Sequence, residues 1–461
     1  MSFLISILFF FTTTSDTIDY QNSVEGDRRA LMDLYEATDG SSWSNDSGWG
    51  SGNPDDYWYG IKVNSEGRVS RVDLSDNNLA GSLPESIGNL TQVRYFNVKG
   101  NRLRGSIPSS IGNMTSLRSL YLNGRPGDFS IQEPKHPGKA PGGTGADKRT
   151  NNFSGQLPES IGALRNLEWL ELNGTGKIGE GLEGAIPESF GNLRNLKGLL
   201  LDHNRLEQFP KSLGNLRNLV HLALGHQGRD VEGDYHLLEG HGFPQWIGKL
   251  KKLKYLWMSD NEGVGGQLPN MSGLYDLEIF MVSRNKLTGQ IPSYFTDGTM
   301  PKINMIGFAW NNFSGPLPEV REPNNLKMFT ADGNNLTGHI PDSWGSDAAR
   351  RMINFSLGWN ELEGQIPNLS HMHQLRYFRG NNNNFIGPVP MVDSLNKKLN
   401  FLHFQNNNLS GRVPPELANI ADLPRIGKED LNISNNNFSK NDIQPLIDAF
   451  AKVGKLEVLK Y

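Results

Sequence analysis

The chain has 461 residues, a formal net charge of −4, 36% hydrophobic residues and no cysteine. A charge so close to neutral gives no general reason to expect nucleic acid or anionic lipid as a partner, and we predict no nucleic-acid partner. Without cysteine there is no disulfide, no thiolate zinc site and no catalytic thiol.

The N-terminus begins with a mostly apolar segment, Phe3 to Phe11, followed by small polar residues up to Ser15. This length is typical of the hydrophobic region of a secretory signal peptide and too short to cross a bilayer. No Lys or Arg precedes it, so a frayed apolar terminus is the alternative. We predict a signal peptide over residues 1–15 and a secreted or cell-surface protein. No other segment approaches ~18 apolar residues, so we expect no membrane span in this chain.

From residue 67 onward the sequence repeats. Two successive copies of L-x-x-L-x-L-x-x-N-x-L-x-G-x-I-P end at Pro84 and Pro108, 24 residues apart. The L-x-L pattern has period two and predicts a short strand with one buried face. Gly-x-Ile-Pro turns the chain back, since it continues neither a helix nor a central strand. One copy cannot bury its own apolar face, so the copies must stack into a solenoid.

An asparagine recurs in the bend after each strand, where a buried amide can satisfy neighbouring backbone groups. Thr175 and Gln227 occupy two positions where the repeat would place asparagine, so we expect the column to be interrupted there. The column consists of Asn77, Asn101, Asn285, Asn311, Asn334, Asn360, Asn383 and Asn407.

The repeats resemble the plant-type leucine-rich repeat, as "SLPESIGNL" and "SIPSSIGNM" illustrate, over residues 67–440. The resemblance implies an α/β solenoid: a curved right-handed superhelix of about fourteen repeats with a parallel concave β-sheet, closed by caps.

Residues 16–66 resemble the N-terminal cap of that family, whose motif is C-x-W-x-G-V-x-C. Trp58, Gly60 and Ile61 match it, but Asp56 and Val63 stand at the cysteine positions. The cap therefore resembles cysteine-free algal, protist and bacterial relatives. At the other end, residues 441–461 are predicted to form a C-terminal helix and a last strand.

The spacing of the repeats slips at three places. Pro108 and Pro158 are 50 residues apart, Pro158 and Pro187 are 29 apart, and Pro210 and Pro244 are 34 apart. The extra residues, the longest run being 125–150, enter in the same phase and should therefore crowd on one rim of the solenoid. Such insertions often mark a binding face. The alternative is an idle loop, because loop length costs little stability.

Positions between the repeated leucines are predicted to point out of the sheet. Exposed aromatic side chains on a concave surface are typical of recognition sites, and here they suit a polysaccharide or an extended peptide. Packing of aromatic side chains on one another is the alternative. We predict ligand-binding roles for Tyr95, Tyr121, Trp169, Tyr255, Trp257, Arg284, Trp310, Trp359, Tyr377 and Arg379.

His203 and His226 occupy equivalent positions in neighbouring repeats, with Asp202 and His221 nearby. Polar histidines at a rim are commoner than metal ligands, so we predict no metal and no cofactor. No Ser/His/Asp, paired-carboxylate or phosphate-binding motif stands out, so we predict no catalytic residues and no enzyme activity.

Asn-x-Ser/Thr sequons are glycan acceptors in a secreted protein, although here the repeat consensus itself generates them. The candidates are Asn45, Asn89, Asn113, Asn152, Asn173, Asn270, Asn312, Asn335, Asn354, Asn368, Asn408, Asn432 and Asn437.

These observations favour a non-catalytic, receptor-like recognition protein that binds a peptide, a protein or a cell-surface glycan through the concave face and the insertion rim. One alternative is an inhibitor of a secreted hydrolase, although the plant wall-enzyme inhibitors it would resemble have fewer repeats and cysteine caps. Another is a structural, adhesive or ice-binding surface protein; the three insertions spoil the flat lattice that ice binding needs.

Overall fold

The computed structural model describes residues 22–52, 54, 57–123, 150–174, 180–227, 240–322, 325–392, 398–422 and 430–461. The predicted signal peptide and nearly all of the insertion at residues 125–150 lie outside these ranges, as do Asp56 and Thr175.

Sixteen strands of the described residues form one sheet, hydrogen-bonded in chain order; we call it the concave sheet. Its first pair is antiparallel, with Lys62 opposite Arg71. The later pairs are parallel, which confirms the predicted architecture. The strands are Ile61–Val63, Val69–Asp73, Tyr95–Asn97, Ser119–Tyr121, Trp169–Glu171, Gly198–Leu200, His221–Ala223, Tyr255–Trp257, Ile279–Met281, Met305–Gly307, Met328–Thr330, Asn354–Ser356, Tyr377–Arg379, Phe401–His403, Leu431–Asn432 and Leu459–Lys460.

In the repeats, the central residue of each three-residue concave strand points into the core, as L-x-L predicts, whereas the cap strand Ile61–Val63 has the exposed Lys62 at its centre. Phe96, Leu120 and Leu256 are fully buried in this way. In the later repeats the core is a row of phenylalanine rings, in which the ring centroids of Phe329 and Phe355 are 6.2 Å apart at an edge-to-face angle. Because each repeat packs only on its neighbours, this row makes the core continuous along the solenoid.

A second set of short strands follows the bend and flanks the concave sheet. Gly289, which ends one of them, has φ of +87°, a conformation that glycine adopts without strain. These strands form a seven-stranded sheet and two three-stranded sheets within the described ranges. They are Ala80–Gly81, Arg102–Gly105 and Asn152–Phe153; Gly155–Gln156, Leu182–Ala185 and Arg205–Gln208; and Gly265–Gly266, Lys286–Gly289, Asn312–Gly315, Asn335–Gly338, Glu361–Gly364, Asn384–Gly387 and Asn408–Leu409.

Short 3-10 helices complete the repeats. Most begin directly after the proline of Gly-x-Ile-Pro, because its fixed φ suits the residue that precedes a helical turn; Pro84 has φ of −77°. The 3-10 helices are Gly40–Ser42, Glu85–Asn89, Ser109–Asn113, Glu159–Ala163, Glu188–Asn192, Lys211–Asn215, Gln245–Lys249, Ser293–Phe295, Asp342–Gly345, Asp347–Ala349, Pro415–Asp422 and Leu456–Val458.

The asparagine column forms a buried ladder of side-chain amides that links each repeat to the one before it. The Asn311 amide nitrogen donates to the carbonyl oxygens of Val282, one repeat earlier, at 3.0 Å and of Phe308 at 2.9 Å. Its oxygen accepts from the Leu287 backbone N–H at 3.0 Å. The amide thus satisfies groups that the bend leaves without backbone partners.

The expectation that the ladder fails at Gln227 is wrong. Its longer side chain donates to the Leu201 carbonyl at 2.6 Å and accepts from the Leu206 N–H at 3.2 Å. After the longest insertion, Asn151 makes the equivalent bonds to Val98 and Leu103.

Buried polar and aromatic contacts hold the N-terminal cap to the first repeat. The cap helix Val24–Ala37 carries Asp27, whose carboxylate receives two hydrogen bonds of 2.8 Å from the Arg68 guanidinium. The ring of Trp49 lies 4.8 Å from that of Trp43 and 5.0 Å from that of Trp58, centroid to centroid. This ring cluster packs the cysteine-free cap.

The C-terminal helix Lys440–Lys452 begins with a capping box between Ser439 and Asp442 and buries Leu446 and Phe450. The strand Leu459–Lys460 then pairs in parallel with Leu431–Asn432. This helix and strand cover the last repeats.

Two buried aspartates follow the concave strands at equivalent positions. Asp332 accepts from the Ser356 hydroxyl at 2.6 Å and from the Gly358 N–H at 3.1 Å. Asp202 accepts from the Gly225 N–H at 2.7 Å. The position equivalent to Ser356 is occupied by Ala223, which has no hydroxyl group to donate. Asp202 Oδ2 therefore has no partner within the described ranges. Burial raises the pKa of Asp202 to about 7.

We predict that Asn311→Ala strongly destabilises the solenoid, whereas Asn312→Ala, at the exposed neighbouring position, does not. The first substitution leaves one buried N–H and two buried carbonyls without hydrogen-bond partners, which costs about 3 kcal/mol of stability. Denaturant unfolding followed by circular dichroism measures the difference. Equal midpoints for the two variants would contradict a structural role for the ladder.

Asp202 predicts a specific pH dependence of stability. Its folded-state pKa of about 7 exceeds that of an unfolded aspartate, so its stabilising contribution is complete below pH ~4 and is lost as pH rises through 7. Asp202→Asn should therefore gain stability over the wild type on going from pH 4 to pH 8, by up to about 4 kcal/mol.

The measurement is the denaturant midpoint at each pH, with Asp342→Asn, at an exposed position, as the control. Ala223→Ser would supply a hydroxyl group that donates to Asp202. In this variant the loss of stability should therefore be complete at a lower pH than in the wild type. A difference between wild type and Asp202→Asn that is the same at pH 4 and pH 8 would rule this account out.

Candidate functional site

The N-terminal part of the concave sheet presents an arginine–tyrosine row. The Arg71 guanidinium lies 3.6 Å from the centre of the Tyr95 ring and 2.7 Å from the Asp73 carboxylate. The rings of Tyr95 and Tyr121 are 5.4 Å apart. A shallow cavity of about 320 Å³, lined by Arg71, Asp73 and Tyr59 among others, adjoins this row.

The Trp169 ring lies across the neighbouring repeat and contacts the repeat after that one. A Cβ atom at Gly198 would lie 2.1 Å from the Trp169 ring, so only glycine leaves room for it. The Trp169 ring is 5.2 Å from that of His221, which is 4.4 Å from the Tyr255 ring. Burial, and then the nearby Lys254, lower the pKa of His221, so this aromatic row is uncharged at neutral pH.

The middle of the concave sheet carries an apolar cluster separate from the main core. Ile279, Met305 and Met328 are only 1%, 7% and 6% exposed although they point away from that core. The half-buried Tyr255, Trp257 and Met281 pack against them. We call these six residues the concave cluster.

Sequence reasoning found the two aromatic members of the concave cluster and missed Ile279, Met281, Met305 and Met328. These four occupy the same outward strand positions as the predicted aromatics, so a search there for any large apolar residue would have found them.

Near the C-terminal end the concave sheet is again aromatic and basic. The Tyr377 and Phe401 rings are 4.9 Å apart, and Arg379 lies 4.9 Å from the Phe401 ring centre. Burial, with a smaller effect from Arg379, lowers the pKa of His403 to about 4. His403 is therefore neutral at neutral pH and stacks on Phe401 at 4.6 Å.

Three predicted residues do not lie on the strands. Arg284, Trp310 and Trp359 follow the strand ends, each directly before a ladder asparagine, with φ of 57°, 58° and 53°. The strands end after three residues, and the chain then enters the left-handed region to place the amide. We call the set of residues at this position the rim column; from the fifth repeat on it comprises His203, His226, Asp260, Arg284, Trp310, Gly333, Trp359, Asn382, Asn406 and Asn435.

The first part of the rim column is charged. The rings of His203 and His226 stack at 4.2 Å, and His226 Nε2 is 3.5 Å from the Asp260 carboxylate. Arg284 Nε lies 3.6 Å from the same carboxylate. Within the described ranges no group of three or more histidine or acidic side chains is arranged to hold a metal ion.

The next part of the rim column is aromatic. The Trp310 ring lies over Gly333, where a Cβ atom would come within 2.4 Å of it, and its centroid is 5.8 Å from that of Trp359. Both tryptophans are 47% exposed. Together they form one aromatic surface that crosses three repeats.

The sequons divide by exposure. The exposed asparagines are Asn113, Asn270, Asn312, Asn335, Asn368, Asn408 and Asn437, and the half-buried ones are Asn45, Asn89 and Asn152. Asn173, Asn354 and Asn432 are buried and are not accessible acceptors in the folded chain. None of the exposed sequons lies on a strand of the concave sheet.

No helix in the part of the chain that the structure describes has the length and apolar character to cross a membrane.

Family and structure comparisons agree with this architecture. The Leucine Rich Repeat family profile matches residues 68–90, 92–114 and 398–420. No curated protein matches the chain.

Solved structures of plant receptors are similar over most of the chain. The plant peptide hormone receptor RGFR1, in complex with RGF2, is 26% identical, with a TM-score of 0.65 over 83% of this chain and 57% of that one. The Arabidopsis receptor kinase HAESA, in complex with the peptide hormone IDA and the co-receptor SERK1, is 26% identical, with a TM-score of 0.68 over 89% and 66%.

The ectodomain of the Arabidopsis thaliana membrane receptor kinase GASSHO1/SCHENGEN3, in complex with CASPARIAN STRIP INTEGRITY FACTOR 2, is 25% identical, with a TM-score of 0.61 over 91% and 51%. This chain thus spans between about half and two thirds of these solved chains. The chain thus carries leucine-rich repeats and is similar in structure to the leucine-rich repeat chains of plant receptors.

Proposed function

We propose that the protein is a non-catalytic, extracellular, receptor-like recognition protein that binds an extended peptide, or an extended segment of a protein, across the concave sheet. The observation that carries this proposal is the concave cluster. A solenoid needs apolar residues only on the inner side of its strands, so an apolar cluster on the outer side calls for a function.

The shape of the cluster fits an extended chain. Its residues come from four consecutive strands, which at the usual strand spacing cover about 14 Å, the length of about four extended peptide residues. Trp257 and Met281 are half-buried and leave part of their surface for a ligand. Methionine adapts its shape to apolar ligand side chains, and tryptophan is one of the residues enriched in binding hot spots.

Polar groups flank the cluster and would orient the ligand. Glu171 lies toward the N-terminal side, and burial raises the pKa of its carboxyl. Arg379 lies toward the C-terminal side, beside Phe401. An apolar centre with polar surroundings is the usual anatomy of a recognition surface.

The comparisons support the peptide class. RGFR1 and HAESA are described in complex with RGF2 and the peptide hormone IDA, respectively. The predicted signal peptide supports an extracellular location, and the similar GASSHO1/SCHENGEN3 chain is a receptor ectodomain.

Trp257→Ala should weaken peptide binding by ~10-fold or more, because a buried tryptophan anchor contributes at least about 2 kcal/mol. A random dodecapeptide display library, selected on the immobilised wild-type chain, supplies the ligands. Affinities of the selected peptides are then measured by calorimetry for wild type and variant.

Tyr275→Ala is the matched control, since Tyr275 is a 62% exposed aromatic residue in the turn before the strand Ile279–Met281. It should bind as wild type does. If the library yields no binder, or if the selected peptides bind Trp257→Ala with unchanged affinity, the concave cluster is not the site.

A further inference from the structure

The C-terminal half of the rim column differs from its first half because its own residues carry no charge. Its members are Trp310, Gly333, Trp359, Asn382, Asn406 and Asn435, whereas the preceding stretch pairs His226 and Arg284 with Asp260. A surface without charge does not attract or orient a charged ligand, so its complement is a neutral one.

The amides continue the line of the two tryptophans. Asn406 Nδ2 donates to Asn382 Oδ1 at 2.7 Å, and Asn435 Nδ2 donates to Asn406 Oδ1 at 2.6 Å. These bonds fix the amides in one row and use only one hydrogen of each donating NH₂ group, so further donors and acceptors remain. The row offers both donors and acceptors at the repeat spacing of about 4.8 Å.

Buried polar atoms beside this row are left without partners. Asn381 is only 1% exposed, yet neither its Oδ1 nor its Nδ2 has a hydrogen-bond partner in the described part of the chain. Gln405 Oε1, at the same position one repeat later, is also buried and unsatisfied there. Such atoms are costly to leave unpaired, so native structures supply them with water or ligand groups.

The fold requires a left-handed backbone at the position of the two tryptophans, but it does not require a tryptophan there. A left-handed backbone is unfavourable for a bulky residue, and the same position is occupied by Gly333 and by Asn382 in neighbouring repeats. Strain of this kind is retained where it presents a side chain for use.

We propose that the uncharged half of the rim column binds a neutral polysaccharide chain running along the solenoid. The apolar C–H faces of pyranose rings would stack on Trp310 and Trp359, and ring hydroxyl groups, directly or through water, would bond to the amides of Asn381, Asn382, Asn406 and Gln405. A hydroxyl group is both donor and acceptor, as each of these amides is.

A peptide is the weaker match to this stretch. The residues of this stretch offer no charged group to pair with the termini and charged side chains of a peptide. The site is also separate from the concave cluster, and the two ligand classes are tested by different variants.

The test uses the whole chain and four defined hexasaccharides in calorimetry: cellohexaose, laminarihexaose and mannohexaose as neutral probes, and hexagalacturonate as the anionic probe. At least one neutral probe should bind, with an affinity that is unchanged in 0.5 M salt. Trp310→Asn and Trp359→Asn should each weaken that binding at least tenfold. Both variants should fold, because asparagine occupies the same position in three later repeats.

Tyr275→Ala is the matched control, since Tyr275 is a 62% exposed aromatic residue outside the rim column; it should leave saccharide binding unchanged. Trp257→Ala should also leave it unchanged, which separates this site from the peptide site. The proposal is overturned if only hexagalacturonate binds, if no hexasaccharide binds, or if both asparagine variants keep full affinity. Loss of library-peptide binding in Trp310→Asn, with no saccharide binding, would assign the tryptophans to the peptide site instead.

Discussion

The buried amide ladder is the interaction on which the rest of the structure depends. Each ladder side chain, such as Asn311, bonds to carbonyls of its own repeat and of the one before, and accepts an N–H from the preceding repeat. The bend is therefore copied from repeat to repeat, and from the fifth repeat on the residue before each ladder amide takes the same left-handed conformation. A regular rim column is a direct consequence of satisfying the backbone inside the bend.

Glycine then decides where large side chains can lie on this regular frame. Gly198, Gly307 and Gly333 each leave a space that a side chain of the preceding repeat fills, namely Trp169, Met281 and Trp310. In each case a Cβ atom would come within 2.6 Å of the neighbouring side chain. The aromatic row, the concave cluster and the tryptophan pair thus have the same physical origin: a missing side chain in one repeat lets its neighbour lie flat and reach further.

Periodicity predicted the parallel sheet, the buried centre of each strand and the asparagine column, because each depends on local spacing alone. It misplaced Trp310 and Trp359, because counting outward positions does not show that the strands end after three residues. It also underestimated Gln227, whose extra methylene allows the same hydrogen bonds from a different residue. The concave methionines were missed because an apolar residue in a repeat sequence looks like core.

Preorganisation links the two proposed sites to the ladder. Binding costs free energy whenever loose side chains become ordered, and this cost falls when the surface is fixed in advance. Met305 and Met328 are more than nine-tenths buried without a ligand, and Asn406 is held by both of its neighbours in the rim column. A ligand therefore meets apolar and amide groups that the stacked repeats have already ordered, so that even a shallow surface can discriminate between partners.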